Sequence, residues 1–416
     1  MQYLLFIIYL LFFCWLISKT TSFKSTGLSV KWLIGLFLVK LAGAVIYGFI
    51  YRGFGNTSDT WQIFNYSIEE YNFLLKHPLG YLRRINLELN PFYDQELSDF
   101  FGTKGSFWND LKDQVLIKAE VLFNVFSFGN YYVNCIFYIY LTFGGYIALY
   151  KALMMIYPGS QITSLIAAFF IPSTFFWTSG MYKDGVLFML FGYIIYHLVL
   201  LTRARQNGSW VIVLLSIIVI GILRSYLLLI LLPCLLSWWL AIKRPALSLV
   251  YFGIIVSVCI IGFFCLPIAF PSFNLPQILI ERRQEFMALE ANTSLPAGEL
   301  RPGFLSFLHT LPEAFNYGFL RPYLWENKGI IYLPFAIELV VLYSLLVIYA
   351  FRKKSNTELQ YSFFVFSIFL LACSWFLLGY TAPITGALIR YKSIFPSFLV
   401  AHLLHKIIPS VNTYRI

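Results

Sequence analysis

Long runs of apolar residues alternate with short polar segments along the 416 residues of the chain. A helix needs about 20 residues to cross roughly 30 Å of hydrocarbon. Runs near that length predict eleven membrane-spanning helices, at about 2–18, 31–51, 131–150, 159–173, 184–202, 209–223, 225–242, 246–269, 331–350, 360–379 and 388–405. The predicted fold is therefore all-α, a polytopic transmembrane helix bundle of about eleven spans that forms a single membrane domain over residues 1–416.

The apolar stretch 209–242 allows two interpretations. One helix of about 34 residues would be far longer than a bilayer requires, at 1.5 Å per residue. It would also put the basic residues at its two ends on opposite sides of the membrane. We therefore predict two shorter helices that meet at Arg224-Ser225, with Arg224 below the outer surface in a protein-lined cavity.

Two connections, residues 52–130 and 270–330, are much longer than the others. Segment 58–75 begins with Ser58-Asp59, which is typical of a helix N-terminus, and then repeats apolar residues at helical spacing. This pattern predicts amphipathic helices that lie on the membrane surface. Such helices could shape a pocket over the bundle or serve as simple anchors.

Composition supports a membrane protein and excludes other classes. The chain is 59% hydrophobic and only 12% charged, whereas soluble domains average about a quarter charged residues. The net charge of +11 is not concentrated in an exposed domain, so no nucleic-acid partner is expected. All six cysteines lie in apolar runs without CxxC spacing, and the histidines lack ligand spacing, so neither a metal site nor a cofactor is predicted.

The charges also predict an orientation. Of the nineteen acidic residues, only Glu358 falls among the short basic connections, and only Glu338 lies in the interior of a predicted span. Short loops rich in Lys and Arg face the cytoplasm. The basic residues that define this side are Lys19, Lys24, Lys151, Arg203, Arg205, Lys243, Arg244, Arg352, Lys353, Lys354, Lys406 and Arg415. The amino terminus and both long loops are thus predicted outside, and the carboxyl terminus in the cytoplasm.

Charged residues gather at the predicted outer ends of the spans. In FFWTSGMYKDGVLF, Lys183 adjoins Asp184, which would begin a helix where the dipole favours an anion. Ionisable groups at membrane depth are costly and commonly mark functional sites. The pattern predicts one extracytoplasmic pocket, although each residue alone could be a helix cap or a structural ion-pair partner. The other members are Asp59, Arg224, Arg321, Glu326, Arg390 and Lys392.

These residue types suit a lipid-linked phosphate or diphosphate. The guanidinium groups of Arg224, Arg321 and Arg390 could bind phosphate oxygens in a bidentate manner, which lysine cannot do. Lys183 and Lys392 could add positive charge. A carboxylate, Asp59 or Asp184, could take a proton from an incoming hydroxyl group.

Two further ionisable residues, Lys40 and Glu338, lie within predicted spans. A buried Lys–Glu pair would explain both residues. Proton-coupled transport is the alternative interpretation.

The layout, with an acidic residue shortly after an early span and large outer loops, resembles the integral-membrane glycosyltransferases of GT-C type. Arginines in outer loops, combined with many short spans, also resemble the O-antigen and exopolysaccharide polymerases. The phrases PSTFFWTSGMYKDG, LRPYLWEN and GALIRYKSIFP are similar to bacterial envelope proteins of that broad kind. For the GT-C enzymes the resemblance implies a lipid-phosphate sugar donor and Asp59 as the base. The second acidic residue that many of them carry is not found beside Asp59.

The resemblance implies transfer or polymerisation of sugars from a polyprenyl-(di)phosphate-linked donor, at the outer face of a bacterial inner membrane, for surface polysaccharide assembly. Expected partners are the lipid-linked glycan, membrane lipids and other envelope-glycan assembly proteins. A lipid-linked glycan flippase or other transporter is the alternative, and it would need polar residues leading towards the cytoplasm. A non-catalytic scaffold is a third possibility.

Overall fold

The computed structural model describes residues 2–53, 58–84, 100–101, 107–203, 208–271, 273–289, 291–326, 329–352 and 356–408. Nineteen α-helices, α1 to α19, occur in these ranges: Gln2–Lys19, Thr21–Lys24, Val30–Arg52, Asp59–Lys76, Pro78–Arg84, Phe107–Ser127, Tyr131–Ile156, Gln161–Phe169, Pro172–Trp177, Lys183–Arg203, Ser209–Leu223, Leu228–Lys243, Ser248–Ala269, Leu275–Ala288, Phe304–Phe315, Leu333–Ala350, Glu358–Thr381, Thr385–Lys392 and Pro396–Ile407. The predicted all-α class is confirmed.

Within the described ranges, eight helical segments are long and apolar enough to cross a membrane. They are Gln2–Lys19, Val30–Arg52, Tyr131–Ile156, Lys183–Arg203, Ser225–Lys243, Pro245–Ala269, Leu333–Ala350 and Glu358–Thr381. A multi-pass membrane protein follows from this number of apolar helices.

Three of the eleven predicted spans are shorter than a membrane crossing. The apolar helix α11 has only 15 residues. The run 159–173 is interrupted, because the nine-residue helix α8 ends at Phe169, before Pro172. Pro172 then begins the next helix, α9. The run 388–405 is divided between α18 and α19, and Pro396 occupies the start of α19, where its missing N–H costs nothing.

The chain forms two compact units. Unit 1 comprises residues 1–95, 105–152 and 175–223, and unit 2 comprises residues 96–104, 153–174 and 224–416. The division near residue 224 coincides with the predicted helix end. Helix α11 ends at Leu223, Arg224 has non-helical backbone angles (φ −150°, ψ 78°), and α12 begins at Leu228 after one 3₁₀ turn.

Unit 1 is held together by a close approach of α7 and α10. A methyl group added to Gly145 would overlap the backbone of Met189, and one added to Gly192 would overlap the backbone of Gly145. Small residues at such contacts let membrane helices approach closely. Close van der Waals packing then stabilises the contact, because lipid provides no hydrophobic driving force between helices. This contact fixes the body of α10 and therefore the position of its first residues, Lys183 and Asp184.

Unit 2 is built around α17, which packs against α12, α13, α14, α15 and α19. A π-helical turn, Asn316–Leu320, follows α15. A methyl group on Gly318 would overlap the backbone of Trp375, and one on Gly379 would overlap the backbone of Ala314. This backbone contact brings the turn beside α17 and exposes its last carbonyl groups to neighbouring side chains.

Candidate functional site

Four predicted phosphate-binding residues, Arg224, Arg321, Arg390 and Lys392, belong to unit 2 and lie around helix α18; we call them the α18 cluster. The Arg224 guanidinium lies 4.3 Å from the ring centre of Tyr391, the residue between Arg390 and Lys392. Lys392 Nζ donates a hydrogen bond to the carbonyl oxygen of Arg321 at 2.6 Å. Three segments distant in sequence therefore meet at one short helix.

Backbone hydrogen bonds hold the start of α18 in place. The Thr385 N–H donates to the Thr293 carbonyl oxygen (2.9 Å), and the Leu295 N–H donates to Pro383 (2.8 Å). On the same helix, Leu388 joins a buried apolar cluster against which Tyr391 packs. The basic end of α18 is thus fixed both by its first turn and by its apolar face.

Lys392 is buried, with 5% of its surface exposed. Its ammonium group donates to the carbonyl oxygens of Gly318 (3.0 Å), Arg321 (2.6 Å) and Tyr317 (3.4 Å). An ammonium group has three N–H donors, and all three are engaged. Lys392 therefore satisfies the carbonyl groups left open at the end of the π-helical turn. Burial lowers the pKa of Lys392 to about 7, and the nearby Glu326 and Glu338 oppose this shift.

Arg321 shares its charge with a carboxylate. Its Nη1 lies 2.7 Å from Glu326 Oε1, and the Thr385 hydroxyl donates to the same oxygen at 3.3 Å. The guanidinium also lies over the rings of Tyr317 and Tyr323, at 5.4 and 5.3 Å from their centres. Arg321 is thus oriented by Glu326 and by two aromatic faces.

Arg224 and Arg390 carry the part of the cluster that suits a phosphate. Arg224 is 6% exposed, and its guanidinium is stacked on Tyr391, whose sequence neighbour is Arg390. Stacking reduces the freedom that a guanidinium loses on binding, and its fork of N–H groups matches phosphate oxygens. Binding of a phosphate or diphosphate by these two arginines stays a prediction from the sequence.

In unit 1, Lys183 forms an ion pair with Asp113 at 2.7 Å. The pair lies at the edge of a cavity of about 340 Å³, which we call the acidic cavity. Its lining comes from α4, α6 and the residue before α10: Gln62, Ile63, Tyr66, Glu69, Glu70, Asp110, Asp113, Gln114, Ile117 and Tyr182. Lys183 is thus the positively charged edge of a negatively charged space.

Sequence reasoning did not single out the carboxylates of this cavity, Glu69, Glu70, Asp110 and Asp113. Glu70 pairs with Lys118, as Asp113 pairs with Lys183. Their spacing holds a signal, because residues three or four apart lie on one face of a helix. Polar residues recur at this spacing along both α4 and α6.

The two predicted bases, Asp59 and Asp184, both occupy helix N-termini in unit 1. Asp59 is the first residue of α4, and the next side chain, Thr60, donates to the Met181 carbonyl oxygen at 3.1 Å. Asp184 lies in the first turn of α10 and is 1% exposed. A carboxylate at either position is stabilised by the helix dipole, so both have a structural role whatever their chemistry.

A buried polar network lies between α4, α6 and α7. Asn134 Nδ2 donates to Asn124 Oδ1 (2.7 Å), Asn124 Nδ2 donates to Ser67 Oγ (2.9 Å), and the Ser67 hydroxyl lies 3.4 Å from Glu120 Oε2. Burial raises the pKa of the Glu120 carboxyl well above its usual range, and the Ser67 hydrogen bond opposes this rise. Glu120 is therefore an uncharged acid at the pH where exposed carboxyls begin to ionise.

Lys40 and Glu338 each have partners other than the predicted Lys–Glu pair. Lys40 Nζ donates to the Phe175 carbonyl oxygen and to Thr178 Oγ1, both at 3.1 Å. Glu338 accepts hydrogen bonds from the backbone N–H and the hydroxyl of Ser173, both at 2.6 Å. The interruption between helices α8 and α9 leaves backbone groups near Pro172 available to side chains. Lys40 and Glu338 each bind groups of their own unit.

Within the described ranges, no group of three or more His, Cys, Asp or Glu residues is placed to hold a metal ion. Comparison with known proteins finds no matching family model, no matching curated protein and no matching solved structure.

Proposed function

We propose that this protein transfers or polymerises sugars from a polyprenyl-(di)phosphate-linked donor, at the outer face of a bacterial inner membrane, for surface polysaccharide assembly. The observation that supports this proposal is the arrangement of Arg224, Arg321, Arg390 and Lys392 around α18 in a protein with several membrane-crossing helices. The charge pattern of the loops adds the orientation, with the amino terminus outside and the carboxyl terminus in the cytoplasm.

The cationic groups would act on the leaving group. When the bond between the anomeric carbon and the phosphate oxygen breaks, negative charge develops on the diphosphate. Preorganised donors aimed at developing charge usually provide the largest catalytic contribution. Arg224, which lies over Tyr391, and Arg390, the residue before Tyr391, would bind the oxygens. Arg321 and Lys392 would hold the surroundings of this site in place, because their side chains are fixed by Glu326 and by carbonyl groups.

The acceptor hydroxyl must lose a proton as the new glycosidic bond forms, and a carboxylate is the expected base. Asp59 and Asp184 keep this predicted role. Asp110 and Asp113 join them as candidates, because they line a cavity of about 340 Å³. That volume falls within the range of about 300–1,000 Å³ that is typical of small-molecule sites.

The proposal is tested with purified protein in proteoliposomes that contain a polyprenyl-diphosphate-linked oligosaccharide, with products followed by mass spectrometry. We expect Arg224→Ala and Arg390→Ala each to reduce glycan extension by about 100-fold at unchanged protein level, as when a single charge-stabilising donor is removed. Arg301→Ala is the matched control, because Arg301 is 74% exposed and pairs only with nearby Glu299 among the described residues.

The same vesicles distinguish the transporter alternative. Movement of a labelled lipid-linked glycan across the bilayer without a new glycosidic bond would favour a flippase. Normal extension by both arginine variants would show that the α18 cluster does not bind the leaving group, and the proposal would then fail.

A separate experiment identifies the base by comparing the pH–rate profiles of Asp59→Asn, Asp184→Asn and Asp113→Asn. Only loss of the true base removes the acidic limb of the profile.

A further inference from the structure

A small cavity of about 30 Å³ lies in unit 2 next to the α18 cluster. Helix α16 contributes one face to it, and Trp375, Ile389 and Lys392 contribute others. The full lining is Ser173, Arg321, Pro322, Phe335, Glu338, Leu339, Leu342, Trp375, Ile389, Lys392 and Pro396. Most of this lining is apolar, so the few polar groups decide what the cavity can hold.

Two buried donors in the lining have no acceptor among the described residues. Trp375 is 2% exposed, and its indole Nε1–H makes no hydrogen bond. The Nε–H of Arg321 is likewise buried and without a partner, although Nη1 of the same side chain binds Glu326. Buried polar groups are satisfied in the great majority of proteins, so two such donors at one cavity require an explanation.

The cavity also contains an acceptor with remaining capacity. Each carboxylate oxygen of Glu338 accepts one hydrogen bond from Ser173. A carboxylate offers about four acceptor positions, so each oxygen can accept one more. Lys392 offers nothing further, because its three N–H groups are bound to carbonyl oxygens.

The available groups match water and do not match an anion. A water molecule needs about 10–15 Å³ of such a volume and two to four polar partners. The cavity has room for one or two water molecules, which would accept from Arg321 and Trp375 and donate to Glu338. A halide would accept from the same donors, but the Glu338 carboxylate in the same small space would repel it.

We propose that one or two bound water molecules bridge the N–H groups of Trp375 and Arg321 to the carboxylate of Glu338. Through this bridge, Glu338 of the membrane-spanning helix α16 orients the side chain of Arg321. The carbonyl oxygen of Arg321 in turn accepts a hydrogen bond from Lys392 of α18. Glu338 is thereby a positioning residue for the α18 cluster, a role that rests on the function proposed above. The bridge itself does not rest on that function.

The water is tested directly by NMR of the ¹⁵N-labelled tryptophan indoles, with the full chain in nanodiscs. We expect cross-relaxation between the Trp375 indole proton and a long-lived water. Trp238 is the matched control: it is 0% exposed and its Nε1–H also lacks a partner, but it does not line this cavity. No water signal at Trp375, equal signals at both indoles, or a chloride-dependent shift of Trp375 in place of the water signal would each overturn the proposal.

Variants test the acceptor and the positioning role separately. Glu338→Met removes the acceptor at similar volume, and we expect the water signal to disappear and the KM for the lipid-linked donor to rise about tenfold with a smaller change in kcat. Glu338→Gln retains an acceptor oxygen and should restore both values. Ser173→Ala removes the hydroxyl group that donates to Glu338 but leaves its carboxylate in place, so the water signal should be retained. A Glu338→Met variant that keeps the water signal would refute the bridge, whereas inactivity of every variant and of the wild-type protein would refute only the sugar-transfer function.

Discussion

The sequence predicts the same role for two lysines: Lys392 of the α18 cluster in unit 2, and Lys183 of unit 1, which pairs with a carboxylate of the acidic cavity. Lys392 is 5% exposed and donates to three backbone carbonyl groups. Lys183 instead pairs with Asp113, whose side chain is half exposed, at the edge of a polar cavity. One lysine therefore completes the backbone of its unit, while the other balances a carboxylate beside solvent.

This difference shows that a cation near a predicted span end has no fixed role of its own. Its role depends on whether the neighbouring acceptors are backbone carbonyls, which stay in place, or carboxylates on mobile side chains. Carbonyls buried without a donor are costly, so Lys392 is committed to structure. Lys183 is also buried, at 9% exposed, but its partner Asp113 is half exposed, so solvent screening weakens this ion pair.

The largest expected effect compares these two lysines. We expect Lys392→Met to lower the free energy of unfolding by about 3 kcal/mol, because buried carbonyl groups lose a charged donor. Lys183→Met should lower it by less, about 1 kcal/mol, because its partner Asp113 is half exposed. Denaturation in detergent, followed by tryptophan fluorescence, measures both values. Equal losses would show that the two lysines play the same structural part.

The next comparison concerns the glycine contacts that hold each unit. We expect Gly379→Ala in unit 2 and Gly192→Ala in unit 1 each to destabilise the protein by about 2 kcal/mol, since the added methyl group overlaps backbone atoms. Gly253→Ala is the control, because nothing lies within 4 Å of a methyl group at that helical position, and alanine favours a helix. A tolerated Gly379→Ala would mean that α15 and α17 can separate without loss.

The smallest effect concerns the buried acid of unit 1. The pKa of Glu120 is raised in the folded protein above the value of 4.5 expected when it is exposed, so the folded state holds a proton that the unfolded state releases. The contribution of Glu120 to stability is therefore fully present below about pH 4.5 and falls as the pH rises through the window between the two pKa values, by at most about 1.4 kcal/mol per pH unit.

Glu120→Gln should remove that part of the pH dependence. Unfolding curves of the two proteins at a series of pH values from 4.5 upward test this, and Glu299→Gln, which changes an exposed carboxylate, serves as the control. A wild-type protein and a Glu120→Gln variant with parallel pH profiles would contradict a buried, protonated Glu120.

Local signals predicted the elements well where one residue type decides the geometry. The Arg224-Ser225 pair marks a helix end in the sequence, and the structure ends α11 at Leu223, directly before this pair. Pro396 was missed as a break, because apolar residues on both sides continue the run through it. The partners of Glu338 were also missed, since Ser173 belongs to a segment that hydropathy alone assigns to a continuous span.

The sequence by itself determined that this is an all-α, multi-pass membrane protein, because hydrocarbon demands long apolar helices with internally satisfied backbones. It also named the cations of the α18 cluster. Only the tertiary structure decided which cation is committed to the backbone and which faces a cavity, and that α4 and α6 combine their carboxylates. These outcomes depend on which groups distant segments bring within 3 Å of each other, and the spacing of residues along the chain does not encode that distance.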